Sequence, residues 1–309
     1  MTLDLLTTGY PSIDYIYNVS RSPLEDETAI LETFSSRGTH GGCGLNVAVA
    51  LAKLGFEVGT AVVLGEDPEG LEYAQYLGSM GVRTENIISL PGSVTSRTYV
   101  FLNPAGRYQL FFLPGAAGDW KPPLAIKGLE QARACLLTVG AAHYNQEFVN
   151  DVIEAGVPLF WQLKSDVQAY PPEQLDRLMR ASRLMFMNEA ECQYLLGVLG
   201  TARLEDLLEG DQTAILTHGI HGSDVHGRTG MVHVPSVPPV QFVDSTGAGD
   251  GFTAGYLAAY FKGFSPQTCA SLGAVLASFV IEAVGCQTHL PGWAQLTERY
   301  QTFFHKSFE

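Results

Sequence analysis

Between residues 134 and 219, four short apolar runs alternate with segments of helical character. The runs are ACLLTVG (134–140), VPLFWQL (157–163), RLMFMN (183–188) and TAILTHG (213–219); the helical segments are 146–155, 172–181 and 189–196. Runs this short and this apolar predict buried strands, and the intervening helices predict right-handed crossovers in a parallel sheet. That grammar admits few folds other than a layered α/β sheet. It also holds nearer the N-terminus. Leu3 to Gly9 is a short apolar run, and GGCGLNVAVALAKLG (41–55) predicts a helix with Gly55 at its C-terminal cap. VGTAVVLG (58–65) predicts a strand, Asp67-Pro68 opens a helix running to about Met80, and 266–283 is apolar almost all round, as a buried helix is.

Two segments break the pattern. TYVFL, NPAGR and YQLFFL (98–113) predict two strands around a Pro/Gly turn, and with little helical partner nearby they predict a small extra sheet. A second hairpin, 223–234, precedes a glycine-punctuated stretch, 244–262. With no repeats, low-complexity tracts or linkers, the chain is expected to be one domain, 1–309.

Composition narrows the partners. A formal net charge of −14 repels phosphate backbones and argues against nucleic acid. The apolar runs fall well short of the roughly 18 residues a membrane span needs, and the opening MTLDLLTTGYPSID lacks a basic n-region. Five cysteines, an odd number without a CxxC pair, predict reduced thiols in a cytoplasmic protein.

VDSTGAGDGFTAGYLAAYF (243–261) is where the pattern points to chemistry. A strand end feeds a tight Gly247-Ala248-Gly249 turn, and an apolar helix begins at about Asp250. Backbone N–H groups at a helix start lack internal partners, so such a turn can receive a transferring phosphoryl group. Asp250 beside it can take a proton from an attacking hydroxyl, although the residues alone also read as a helix cap and a plain turn. No GxxxxGK[ST] occurs, which excludes a P-loop kinase, and no GxGxxG follows a strand.

DSTGAGD (244–250) resembles the second signature of the ribokinase-like (PfkB-type) carbohydrate kinase family, and GGCGLNVA (41–48) resembles its first. The two stand in the family's order, and the resemblance runs over essentially the whole chain. It implies a three-layer α/β/α fold with a mostly parallel central sheet. It also implies a small β-sheet lid, from segments about 14–40 and 95–115. The activity implied is transfer of ATP's γ-phosphoryl group to a substrate hydroxyl, with Mg2+ and, in some relatives, K+.

The resemblance also implies roles for individual residues. Gly9 and Asp14, in GYPSID, match a segment whose aspartate binds substrate hydroxyls; Gly41, Gly42 and Asn46 match the substrate-holding first signature. Asn188 and Glu191 match the family's N-x-x-E, which organises magnesium and phosphate, so Glu191 is the metal-side residue and Asn188 lies with the nucleotide. Thr217, Gly219 and Gly222 match a loop lining the nucleotide, to which Thr246 is added. Gly247, Ala248 and Gly249 would form the anion hole and Asp250 the base. Val243 to Thr246 offer carbonyls for a monovalent cation.

The residues support these placements without compelling them. Asp14 follows a strand, where open α/β sheets bind ligands, but turns also use aspartate. Gly42 and Asn46 are four apart at a helix start, and Asn188 and Glu191 share a helix face; a helix-start asparagine and solvated carboxylates are the plain alternatives. His218, His221 and His226 are spaced across a strand end and hairpin, which favours solvated or nucleotide-side histidines over a metal site.

The lid bears on the substrate. TSRTYVFLNPAGRYQLFFLPGAA resembles the lid of the family's nucleoside (adenosine-type) kinases, with Phe112 where a base-stacking phenylalanine stands. Gln109 is displaced by one position, Gln162 stands where many relatives carry aspartate, and Ser245 stands where Thr or Pro is commoner. A nucleoside such as adenosine is the expected acceptor, with a fructokinase- or ribokinase-type sugar, or a binding relative without turnover, as alternatives. The aromatic lid edges also suit a homodimer.

Overall fold

Successive residues of the central strands enter two different cores. Leu5, Phe160, Leu184, Phe186 and Ile215 join one apolar cluster, while Leu6, Trp161, Met185, Met187 and Ala214 join the other. Apolar side chains on both phases of a period-two strand are what a sheet covered on both faces requires.

The structure, a computed structural model, describes residues 2–33, 36–105, 108–123, 125–164, 169–228 and 230–307. Parts of the expected 103–107 turn, of the 14–40 lid segment, of the 223–234 hairpin and of the run after Lys164 lie outside the described residues. The strands are β1 (Leu5–Thr8), β2 (Ser12–Asn18), β3 (Thr39–Gly41), β4 (Val58–Gly65), β5 (Arg83–Leu90), β6 (Arg97–Leu102), β7 (Tyr108–Leu113), β8 (Cys135–Leu137), β9 (Leu159–Gln162), β10 (Ser182–Asn188), β11 (Thr213–Thr217), β12 (Ser223–Gly227) and β13 (Gly230–Val234). The helices are α1 (Cys43–Lys53), α2 (Pro68–Ser79), α3 (Gly115–Asp119), α4 (Ala142–Glu154), α5 (Pro172–Ala181), α6 (Glu189–Leu199), α7 (Ala248–Phe261), α8 (Pro266–Val280) and α9 (Trp293–Phe304).

The nine-stranded sheet runs β13-β12-β11-β10-β9-β8-β1-β4-β5 and is parallel from β11 to β5, with β12 and β13 an antiparallel extension. Leu45 of α1, Leu257 of α7, Leu276 of α8 and Leu296 of α9 cover one face; Phe148 of α4, Leu175 of α5 and Leu195 of α6 cover the other. These are the three layers the resemblance implies. The lid is a separate four-stranded sheet in the order β3-β2-β6-β7.

Three elements escape the sequence reading: β5, α9 and the short α3, which follows the lid. β5 pairs only with β4 at the sheet edge, and its RTENIISL is too polar and too half-exposed to register as a buried run. α9 is an amphipathic helix, WAQLTERYQTFF, that buries Leu296 and Tyr300 and leaves most of its surface outside. α7 and α8 cross almost backbone to backbone: a Cβ on Gly255 would lie 2.5 Å from the Leu272 carbonyl oxygen. That close crossing anchors the helix whose first turn carries Asp250.

Candidate active site

The starts of α1 and α7 and the carboxyl ends of β1 and β9 meet beneath the lid, where open α/β sheets present ligand sites. Asp250 lies in the first turn of α7, only 5% exposed. Gly247 occupies the cap position, and no side chain caps the helix. The cap reading of Asp250 therefore fails, because its carboxylate is engaged elsewhere. Oδ2 accepts from Asn46 Nδ2 at 2.7 Å, and Oδ1 accepts from Gln162 Nε2 at 2.6 Å.

Asn46 is held in turn. Its Oδ1 accepts from Gln287 Nε2 at 2.8 Å, and the same nitrogen reaches Tyr73 Oη at 2.9 Å. Tyr73 Oη donates to the Gly41 carbonyl at 2.6 Å. A continuous chain of hydrogen bonds thus joins the first signature to the carboxylate of the second. Asn46 spends both ends of its amide inside the protein.

Asp14 of β2 faces the same space, beside Asp250 and Asp244. Ser12 Oγ donates to its Oδ1 at 2.5 Å. Gly41 permits this approach, since a Cβ there would lie 2.0 Å from Asp14 Oδ2. Burial pushes the Asp14 carboxyl up to about 6, against hydrogen bonds from Ser12 and Thr98 and with repulsion from Asp250 and Asp244 adding to the rise. Gly42 caps α1 with φ 100°. Gly9 bends the chain after β1, so that Tyr10 meets Phe112 of β7 edge-on, ring centroids 4.8 Å apart.

At the start of α7, Gly247 adopts φ 78°, and a Cβ there would strike Cys286 Sγ. Ala248 N–H turns to the Ser245 carbonyl and Gly251 N–H to that of Gly247. The N–H groups of Gly249 and Asp250 have no acceptor among the described residues, and Gly249 is exposed. Two such amides at a helix start suit an anion. Just upstream, Asp244 Oδ1 accepts from both the N–H and the Oγ1 of Thr246. Asp244 Oδ2 is buried without a hydrogen-bond partner among the described residues.

Asn188 and Glu191 form a capping box at the start of α6: Asn188 Oδ1 accepts from Glu191 N–H at 2.9 Å, and Glu191 Oε2 from Asn188 N–H at 2.8 Å. The N-x-x-E spacing thus has a structural use whatever ligand it serves. Burial raises the Glu191 carboxyl, with Lys164 and the Asn188 N–H acting against it. Lys164 was not anticipated. Burial pushes its ammonium down, yet Cys43, Asp250 and Glu191 around it hold it above its ordinary value. A lone lysine closing an otherwise apolar strand run was the available signal. Gln287 and Tyr73 gave none, because their contacts exist only in the folded chain.

Thr217 ends β11, and Gly219 and Gly222 both take positive φ in the turn after it. His218 bridges Glu189 and Asp224, at 2.6 and 2.9 Å, beside this turn; His226 turns away to Glu205, and His221 is exposed. Among the described residues, no three or more His, Cys, Asp or Glu side chains converge as metal ligands.

Asp14 yields a test that separates function from stability. An unfolded aspartate ionises at about 3.9, so with a folded value of about 6 its contribution to stability is full below pH 3.9 and is lost as pH rises through 6. Asp14→Asn is expected to raise stability by about 1–2 kcal/mol at pH 8 and to leave it nearly unchanged at pH 4. It should also weaken acceptor binding at least tenfold, about the loss of one charged hydrogen bond. Thermal melts at both pH values, with acceptor KM, check this; a variant destabilised at pH 8 would contradict it.

The sequence matches the pfkB family carbohydrate kinases over residues 2–293. It is 30% identical over 296 residues to a nucleoside kinase of Methanocaldococcus jannaschii, covering 95% of each chain. A crystal structure of Methanocaldococcus jannaschii nucleoside kinase, an archaeal member of the ribokinase family, superimposes with a TM-score of 0.86 at 27% identity, covering 97% of this chain and 99% of that one. Arabidopsis thaliana ribokinase, complexed with ribose and ATP, gives 0.83 at 25% identity, covering 97% and 99%. The two signatures that the fold brings together are thus those of an ATP-using phosphotransferase, and the chain belongs to the pfkB family of carbohydrate kinases.

Proposed function

We propose that this kinase moves the γ-phosphoryl group of ATP to the primary hydroxyl of a nucleoside such as adenosine. The similarity to a nucleoside kinase across 95% of both chains carries the reading. The lid aromatics support it: Phe112, 37% exposed, and Tyr10 offer ring faces and edges on which a base can stack.

In this reading Asp14 and the Gly41-Gly42 backbone hold the ribosyl hydroxyls, and Asn46 fixes Asp250 beside the reacting one. In the Gly247-Ala248-Gly249 turn at the start of α7, the N–H groups of Gly249 and Asp250, unpaired among the described residues, receive the γ-phosphate. Asp250 takes the hydroxyl proton as the new O–P bond forms; the bond from the γ-phosphorus to the β,γ-bridging oxygen breaks, and ADP leaves with that electron pair. Lid closure excludes water. The catalytic gain is mostly positioning and charge stabilisation. Asn188, Thr217, Gly219, Gly222 and Thr246 line the nucleotide side.

Magnesium fits the oxygen donors here. Glu191 keeps Oε1 outside its capping box, so its carboxylate would be the protein group that holds the ion beside the phosphates. When bound it neutralises phosphate charge. The buried, unpartnered Asp244 Oδ2 supports a K+ requirement at 243–246. No helix among the described residues is long and apolar enough to cross a membrane, which suits the cytoplasmic location proposed.

The second reading, a sugar acceptor, is favoured by the likeness to a ribokinase complexed with ribose. ADP release across a panel of nucleosides and sugars, with magnesium and with or without potassium, separates the two. Adenosine-type acceptors should give the highest kcat/KM. Preference for a free sugar would select the ribokinase reading, and binding without turnover the non-catalytic one. Asp250→Asn should lower kcat by about 10² or more with acceptor affinity little changed; near-full activity would remove Asp250 from the chemistry.

The outer lid carries an aromatic ladder of Tyr15, Tyr17, Tyr99, Phe101 and Phe111, with Phe111 59% exposed. It supports a homodimer through the lids. Sedimentation at micromolar concentration should give a dimer, and monomer alone would refute this.

A further inference from the structure

We propose that Gln162 is a positioning residue that keeps the Asp250 carboxylate ionised and aimed at the acceptor hydroxyl. The inference rests on the kinase reading above and deepens it.

The geometry is specific. Asp250 receives one amide donor on each oxygen, Gln162 Nε2 at 2.6 Å and Asn46 Nδ2 at 2.7 Å. A carboxylate gripped at both oxygens has little freedom to rotate. Each grip also has a fixed polarity. Gln287 holds the oxygen end of the Asn46 amide, leaving its nitrogen toward Asp250. Gln162 Oε1 is buried and finds no donor among the described residues. Turning the Gln162 amide over would set that oxygen against a carboxylate oxygen, so only the N–H end can face Asp250. Donors to the charged form favour that form.

The surroundings make such a device necessary. Asp250 shares its space with the Asp14, Asp244 and Glu191 carboxylates and with the Cys43 and Cys286 thiols; Lys164, two residues beyond Gln162, is the cation facing it. An acid in place of Gln162 would add another like charge in contact with Asp250. Gln162 and Asn46 instead bring N–H donors to it, and Lys164 brings a positive charge. The hydroxyl proton has one destination, an Asp250 oxygen, and a base already protonated cannot take it.

Two variants test this, because they move the pH dependence in opposite directions. Gln162→Met has the same length and no donor. The acidic limb of its kcat profile should move up by about one pH unit, with acceptor KM within about twofold of wild type. Gln162→Glu can donate only while protonated, so it should gain an alkaline limb that wild type lacks. A merely structural role would scale kcat evenly with pH. Profiles parallel to wild type in the folded variants overturn the inference; if Gln162→Met fails to fold, Gln162→Glu decides alone. Asp250→Asn, measured alongside, separates the levels: an inactive Asp250→Asn with parallel Gln162 profiles sinks only this inference, whereas an active one sinks the base assignment beneath it.

Discussion

A carboxylate buried among apolar helices must have its charge answered, and here Asn46 and Gln162 answer it, one on each oxygen of Asp250. A charged hydrogen bond contributes about 1.5–3 kcal/mol, whereas an unpaired buried charge costs several. The partners come from α1 and β9, and Asn46 is itself fixed by Gln287 and through it by Tyr73 of α2. The relative placement of these four elements therefore depends on one side chain, and the close α7/α8 crossing at Gly255 sets where that side chain begins.

The site is acidic where it is expected to meet an acidic cosubstrate. Asp14, Asp244, Asp250 and Glu191 all lie near the start of α7, against the ammonium of Lys164. The helix-start amides, unpaired among the described residues, can offset phosphate charge, but the fold holds Asp14 at the expense of stability at neutral pH.

Much of this was legible in the sequence, for identifiable reasons. Strands covered on both faces write continuous apolar runs, so β4 and β8 to β11 appear where the runs are. α5 starts at its Pro172, and the lid hairpin follows its turn residues. The signatures located the two glycine-rich starts. What stayed hidden was tertiary or polar. Asn46 meets Asp250 across 204 residues and Gln287 across 241, and nothing local signals either contact. β5 is an edge strand whose residues are only partly buried and partly polar, which erases the buried-run signal. Asn188 and Glu191, read from the sequence as a ligand motif, make a capping box, a use of the same spacing that the motif reading passes over. Gln162 was visible as a departure from the family's aspartate, but its consequence required the position of Asp250.

The central claim concerns geometry at the moment of transfer, and a crystal structure with adenosine and a non-hydrolysable ATP analogue examines it most directly. The primary hydroxyl should lie within hydrogen-bond distance of an Asp250 oxygen, with the γ-phosphate against the amides of Gly249 and Asp250 and Gln162 still on Oδ1. An acceptor hydroxyl bound away from Asp250, or a γ-phosphate held away from the start of α7, would contradict the account.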